Sequence, residues 1–136
     1  MLDSFAVLAV YRQEPGEIRV RQLLSDPRNK HWMSVINLGE VYYRVGRERG
    51  LPLAEQALEW FGRQPVHIID VGWKLTRAAA EIKSTYALSY ADCFAASLAR
   101  QLEAAVVTGD PEFEQLERDG IVEIEWLTPK PKARRR

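Results

Sequence analysis

The sequence predicts an α/β fold, a three-layer sandwich in which a mainly parallel sheet is flanked by helices. Three observations carry that prediction. Short β-branched runs alternate with longer segments of helical spacing, the pattern that produces right-handed crossovers and a parallel sheet. The run Ala105-Val106-Val107-Thr108 is apolar up to its last residue, as strands buried on both faces are. Acidic residues sit where strands end or helices begin, the edge at which open α/β sheets bind ligands.

Each element follows from local signals. Met1-Leu2 ends a strand and Asp3-Ser4 opens a helix over Phe5 to Tyr11, which stops before Glu14-Pro15-Gly16. Glu17 to Asp26 is helical, with Ile18, Val20, Leu23 and Leu24 as its buried face, and Pro27 to Asn29 turns the chain. His31 to Val35 reads as a short strand, and Ile36 to Arg49 as a helix closed by Gly50. Leu51-Pro52 starts the next helix, which runs to about Arg63 and is stopped by Gln64-Pro65. Val66 to Val71 is a β-branched strand. Gly72 to Tyr86 is a helix with Leu75, Ala78, Ala79 and Ile82 on one face. Ser89 caps a small-residue helix from Tyr90 to Glu103, which leads into the 105–108 strand. Gly109-Asp110-Pro111 turns into a helix through Arg118, and after Asp119-Gly120 the segment Val122 to Leu127 is the last strand.

Composition bounds the function. The 136 residues fit one domain able to bury a core, with 46% hydrophobic and 28% charged residues. The net charge of zero hides an asymmetry. Lys130, Lys132, Arg134, Arg135 and Arg136 form an acid-free terminus, leaving fourteen basic against nineteen acidic groups before it. Residues 1–127 are therefore read as the domain and 128–136 as a basic, flexible tail, suited to a polyanion or a solvated terminus. Cys93 is the one cysteine, which excludes a disulfide framework and a thiolate metal site. Neither a signal peptide nor an apolar run of membrane-spanning length is visible, so a cytoplasmic location is expected.

Four acids stand out: Asp3, Glu40, Asp92 and Asp110. Each has an ordinary structural job available. Asp3 suits a helix cap, and Asp110 before Pro111 is a cap with proline at the first helical position. Ser89-Tyr90-Ala91-Asp92 matches a capping box with Asp in the last place, and Glu40 can pair with Arg44 one turn on. As a set they ask for more. Asp92 and Glu40 lie inside stretches otherwise apolar or small, and acids so placed are paired, metal-bound or catalytic. Carboxylates gathered without a lysine repel one another unless a divalent cation cancels the charge.

These residues, with Thr108-Gly109-Asp110-Pro111-Glu112-Phe113, resemble the PIN-domain nucleases, in particular the VapC-like toxins of toxin–antitoxin pairs. Asp3-Ser4 is similar to the family's opening Asp and small polar residue. Asn37-Leu38-Gly39-Glu40-Val41 is similar to its helix-borne Glu motif, Leu88-Ser89-Tyr90-Ala91-Asp92 to its third acid, and Thr108-x-Asp110-x-x-Phe113 to its fourth. The resemblance covers residues 1 to about 127. It implies a five-stranded parallel sheet and Mg²⁺- or Mn²⁺-dependent RNA cleavage leaving 5′-phosphate and 3′-hydroxyl ends. An inhibiting antitoxin and a homodimer are implied as well. Family members carry a longer strand before the first Asp, so here either the first strand is short or the start codon lies upstream.

On this reading Asp3, Glu40, Asp92 and Asp110 are both catalytic residues and metal ligands, with Mg²⁺ as the ion and Mn²⁺ as the alternative. Ser4, Thr108 and Glu112 support them, Thr108 by orienting Asp110 or a water and Glu112 as an occasional fifth acid. Arg12, Arg44 and Arg47, with Arg49, are read as phosphate contacts or as a solvated helix face. His31 and His67 fall in strands, where packing is their role. Trp32, Trp60, Trp73 and Trp126 are assigned to core or interface. Two other readings compete. One is a metal-binding interaction module without turnover. The other is a receiver-like phosphoacceptor domain with Asp70 as acceptor, which lacks the expected lysine after the 105–108 strand and an acidic neighbour for Asp3.

Overall fold

The computed structural model describes residues 1–128; the basic segment from Lys130 to Arg136 lies outside the described residues. The order of elements is α1 (Ser4–Tyr11), α2 (Glu17–Ser25), β1 (Trp32–Ser34), α3 (Val35–Arg49), α4 (Leu51–Gly62), β2 (His67–Ile69), α5 (Trp73–Thr85), α6 (Tyr90–Gln101) and β3 (Val106–Thr108). A 3₁₀ turn (Pro111–Phe113), α7 (Glu114–Arg118) and β4 (Ile124–Trp126) complete it. Every strand is shorter than its apolar run, because the flanking residues are drawn into caps and turns. Ser34, for example, ends β1 and its hydroxyl accepts from Asn37 N to cap α3.

β1 pairs with β2 and β3 with β4, both in parallel. Met1-Leu2 lies between these two pairs. Leu2 N donates to Trp32 O at 2.8 Å, Val107 N donates to Met1 O at 2.7 Å, and Leu2 bridges Val107 in parallel. The described residues thus hold two two-stranded sheets and one bridge, not the continuous five-stranded sheet the resemblance implies. Met1-Leu2 contributes a bridge rather than a ladder.

Alternation along this short strand sorts the core into two layers. Met1 and Val106 join one cluster with Leu75, Ala79 and Ile82 of α5, Phe94 and Leu98 of α6, and Phe113 and Leu116. Leu2 and Val107 join the other, with Ala6 to Val10 of α1, Val20, Met33, Val41, Val45, Ala54 and Phe61. Helices therefore cover both faces, as the three-layer prediction requires. Small side chains let α6 lie deepest, with Ala95, Ala96 and Ala99 fully buried.

One expectation about burial fails: Ile18 is 73% exposed, since α2 buries only the Val20 side of its surface. Trp73 is 73% exposed on the first turn of α5, outside the core, which leaves the interface half of its assignment. Trp32 and Trp126 pack against the first core cluster and Trp60 against the second. His31 is buried just ahead of β1, and His67 is exposed at the start of β2. Asp70 follows β2, the outer strand of its pair, and is exposed, which leaves the phosphoacceptor reading without a site. No described helix is long and apolar enough to cross a membrane.

Candidate metal centre

The carboxyl ends of the central strands open onto a cleft of about 250 Å³. Its walls carry Asp3, Ser4, Phe5, Glu40, Arg44, Ser89, Asp92, Asp110 and Glu112. All four acids singled out by the sequence meet there, although chain order scatters them from residue 3 to residue 110. Arg44 is the one cation among these residues.

Local structure places each acid. Asp3 leaves the Met1-Leu2 bridge and caps α1, its Oδ1 accepting from Ala6 N at 3.0 Å. Its Oδ2 is buried with no hydrogen-bond partner. Asp110 follows β3 and caps the 3₁₀ turn, accepting from Glu112 N at 2.9 Å, while its own N–H donates to Thr108 Oγ1 at 3.0 Å. Asp92 lies on the first turn of α6, where its N–H donates to Ser89 Oγ at 3.2 Å. The modest structural jobs are therefore real, and they leave all three residues lining the same cleft.

Glu40 is held differently. On α3 its Oε1 accepts from the Ser4 hydroxyl and its Oε2 from the Tyr43 hydroxyl at 3.4 Å, with Arg44 Nε at 3.8 Å. The expected one-turn pair with Arg44 is present, on a carboxylate that is itself buried. Oxygens of Asp92, Asp110 and Glu112 lie within 4.8 Å of one another, a spacing that one ion can bridge. Glu112 thus converges with two of the four acids rather than standing behind them.

Burial and crowding set the electrostatics of the cleft. Asp3 is raised from 3.8 to about 7, chiefly by burial, with the Asp110 and Glu40 carboxylates adding to the rise; the Thr108 hydroxyl and the Ala6 N–H oppose it. Asp92 is raised from 3.8 to about 8, again by burial first and then by Asp3, Asp110 and Glu40. The donor set consists of hard oxygens, one of them buried and unpartnered, and this fits Mg²⁺ or Mn²⁺.

Sequence reasoning missed two positioning residues. Asn37 is fully buried and its Nδ2 donates to Ala91 O at 3.1 Å, which fastens the start of α3 to the start of α6 and so Glu40 to Asp92. Gly109 is required for close approach, because a Cβ there would stand 2.4 Å from Phe5 Cε1. The Ser34-x-x-Asn37 spacing marks a cap, but nothing in the sequence indicates its long-range bond.

The arginines divide. Arg44 reaches the cleft and Arg47 lies over the Tyr43 ring at 5.0 Å. Arg12, expected as a phosphate contact, sits at the opposite end of α1, hydrogen-bonded to Glu48 and 3.5 Å from Glu14. Arg49 lies over Tyr11 at 5.7 Å.

The family model described as PIN domain matches residues 1–119, which span the whole cleft. The chain belongs to the PIN domain family. Among solved structures, this PIN domain is similar to VapBC2 from Rickettsia felis bound to a promoter DNA fragment. Identity there is 23% over 92% of this chain and 96% of that one, with a TM-score of 0.70. It is also similar to VapC20 from Mycobacterium tuberculosis, a Sarcin-Ricin loop cleaving toxin (18% identity, 90% and 96% covered, TM-score 0.72). VapBC-1 from nontypeable Haemophilus influenzae gives 19%, 93% and 96%, and 0.69. No curated protein matches the chain. At these identities the likeness establishes the fold, and any activity must be argued from the cleft.

Proposed function

We propose that this PIN domain is a divalent-metal-dependent endoribonuclease acting as the toxin of a toxin–antitoxin pair in the cytoplasm. One observation carries the reading: five carboxylates share one small cleft with a single arginine, and two of them are held far above the ordinary carboxylate range by burial and, to a lesser extent, by the neighbouring carboxylates. Asp92, Asp110 and Glu112 offer the nearest set of oxygens for Mg²⁺ or Mn²⁺, and Asp3 offers its unpartnered Oδ2. When bound, such an ion lowers the pKa of a water and stabilises charge on a scissile phosphate.

The chain's own groups do the rest. Asp3 and Asp92 would hold such an ion only as carboxylates, so its affinity would rise with pH. Ser4 fixes the Glu40 carboxylate, and Thr108 holds the Asp110 backbone, so that both present their oxygens in one orientation. Arg44 stands at the rim, where a phosphate enters. The products are a 5′-phosphate and a 3′-hydroxyl. Similarity to a toxin that cleaves the Sarcin-Ricin loop favours structured or single-stranded RNA as substrate, and similarity to VapBC structures favours an antitoxin partner; a homodimer is part of the reading through the family resemblance alone.

RNA cleavage with Mg²⁺, with Mn²⁺ and with EDTA, for the natural chain beside Asp92→Asn, tests the proposal. Metal-dependent cleavage should be lost on chelation and in the variant, with the fold retained by circular dichroism. A folded Asp92→Asn that still cleaves would sink it. A natural chain that binds metal and cleaves no RNA would favour the silent interaction module.

A further inference from the structure

We propose that Tyr43 is a stacking platform for an unpaired RNA base, set beside the acidic cleft by α3. The inference rests on the nuclease reading and names the group that grips the substrate. On α3, Glu40, Tyr43, Arg44 and Arg47 fall at spacings of three, four and seven, so they form one stripe along the helix. The stripe begins in the cleft, where Glu40 is buried, and runs out of it.

Tyr43 stands at that boundary. It is 45% exposed, although a tyrosine on an amphipathic helix ordinarily turns its ring to the core. Its hydroxyl reaches Glu40 Oε2 at 3.4 Å, which fixes the polar edge of the ring at the cleft. The Arg47 guanidinium lies 5.0 Å from the ring centroid, on one side of it. A ring tethered at its edge and backed by a cation loses little freedom when a base stacks on it. The arrangement also supplies charge where it is useful, because Arg47 lies at the ring and Arg44, next in the chain, lines the cleft beside Glu40, so both can meet phosphates near the stacked base. Aromatic stacking combined with adjacent cations is how single-stranded nucleic acids are held without sequence preference.

The test separates ring from hydroxyl and binding from cleavage. A labelled single-stranded RNA oligonucleotide is titrated by fluorescence anisotropy in EDTA, and its cleavage is followed in Mg²⁺, using the natural chain, Tyr43→Ala and Tyr43→Phe. Tyr43→Ala should weaken binding by roughly 5- to 100-fold, the range for loss of one stacked base, and raise KM with kcat little changed. Tyr43→Phe, which keeps the ring and loses only its tether to Glu40, should bind far closer to the natural chain than Tyr43→Ala does. Oligonucleotides with one abasic position, moved stepwise along the strand, should reveal a position whose loss weakens binding to the natural chain but not to Tyr43→Ala. Equal binding by the natural chain and a folded Tyr43→Ala overturns the proposal, as does Tyr43→Phe behaving like Tyr43→Ala. If the natural chain binds the oligonucleotide through Tyr43 yet never cleaves it, the nuclease reading fails and the platform stands.

Discussion

The two ends of the α1–α3 layer use the same residue types to opposite effect. At the far end, Arg12 meets Glu48 and Glu14, so its cation is answered within the chain and all three side chains stay partly in water. At the near end, Asp3 and Glu40 join Asp92, Asp110 and Glu112, with Arg44 alone to answer them. A protein that can place ion pairs at one end of two helices is not short of means to place them at the other. The contrast shows that an acidic residue acquires binding potential when its neutralisation is left to something outside the chain.

The largest break in that contrast comes from the metal itself. At a hundredfold excess over Kd, Mg²⁺ or Mn²⁺ should stabilise the natural chain by about 2.7 kcal/mol, a rise in Tm of roughly 10 °C by differential scanning calorimetry. Asp92→Asn should abolish most of that rise. An Arg12→Ala chain should keep all of it, and an equal loss in both variants would mean that the two ends do not differ.

A smaller effect sharpens how the near end is ordered. Ser4 donates to Glu40 from 36 positions away and touches no other acid by a hydrogen bond among the described residues. Ser4→Ala should lower RNA cleavage by roughly 10- to 100-fold, the usual consequence of removing a group that orients a ligand, with the melting temperature nearly unchanged. Cleavage at the natural rate would reduce the Ser4–Glu40 bond to packing.

Much of this near end is legible in the amino-acid sequence. Asp110-Pro111, Ser89 ahead of Asp92, and Asp3-Ser4 obey short-range capping rules, and the structure shows those caps. The strand at Val106–Thr108 and the burial of Leu75, Ala79 and Ile82 follow from periodicity. The bonds from Ser4 to Glu40 and from Asn37 to Ala91 are not legible, because they join residues 36 and 54 apart and leave no local pattern. Glu112 reads as an occasional fifth acid, but its approach to Asp92 is not legible either, because that distance depends on where β3 delivers the turn after it. Ile18 misleads because hydrophobicity states what a side chain favours, whereas its exposure is set by which side of α2 meets the core.

The raised carboxyls give the near end its own pH signature. Asp3 and Asp92 hold protons in the folded chain up to about 7 and about 8, while in the unfolded chain they release them near the ordinary 3.8. Between those limits the folded state binds more protons than the unfolded one, so stability falls as pH rises. In EDTA, the contribution of these two groups is full below about pH 4 and lost progressively up to about pH 8. Melting curves from pH 5 to 8 should therefore show Tm falling more steeply for the natural chain than for Asp92→Asn, which has lost one of the two groups. Saturating Mg²⁺ should flatten or reverse the slope. Parallel slopes for the two chains in EDTA would show that Asp92 titrates as an ordinary surface acid.

The smallest expected effect lies at the far end. Arg12 and Glu48 are each partly in water, and pairs of that kind contribute about 0–1 kcal/mol, reduced further by salt. Arg12→Ala should accordingly lower stability by less than about 1 kcal/mol in urea denaturation, and by less still at high ionic strength. Its kcat/KM on RNA should match that of the natural chain, because the guanidinium is occupied by Glu48 and Glu14 at the end of α1 away from Asp3. A marked rise in KM for this variant would return Arg12 to the RNA-binding surface. It would also mean that the ion pairs of the far end exchange their partners for phosphates when substrate arrives, which would erase the distinction between an end whose charges are settled within the chain and one whose charges await a ligand.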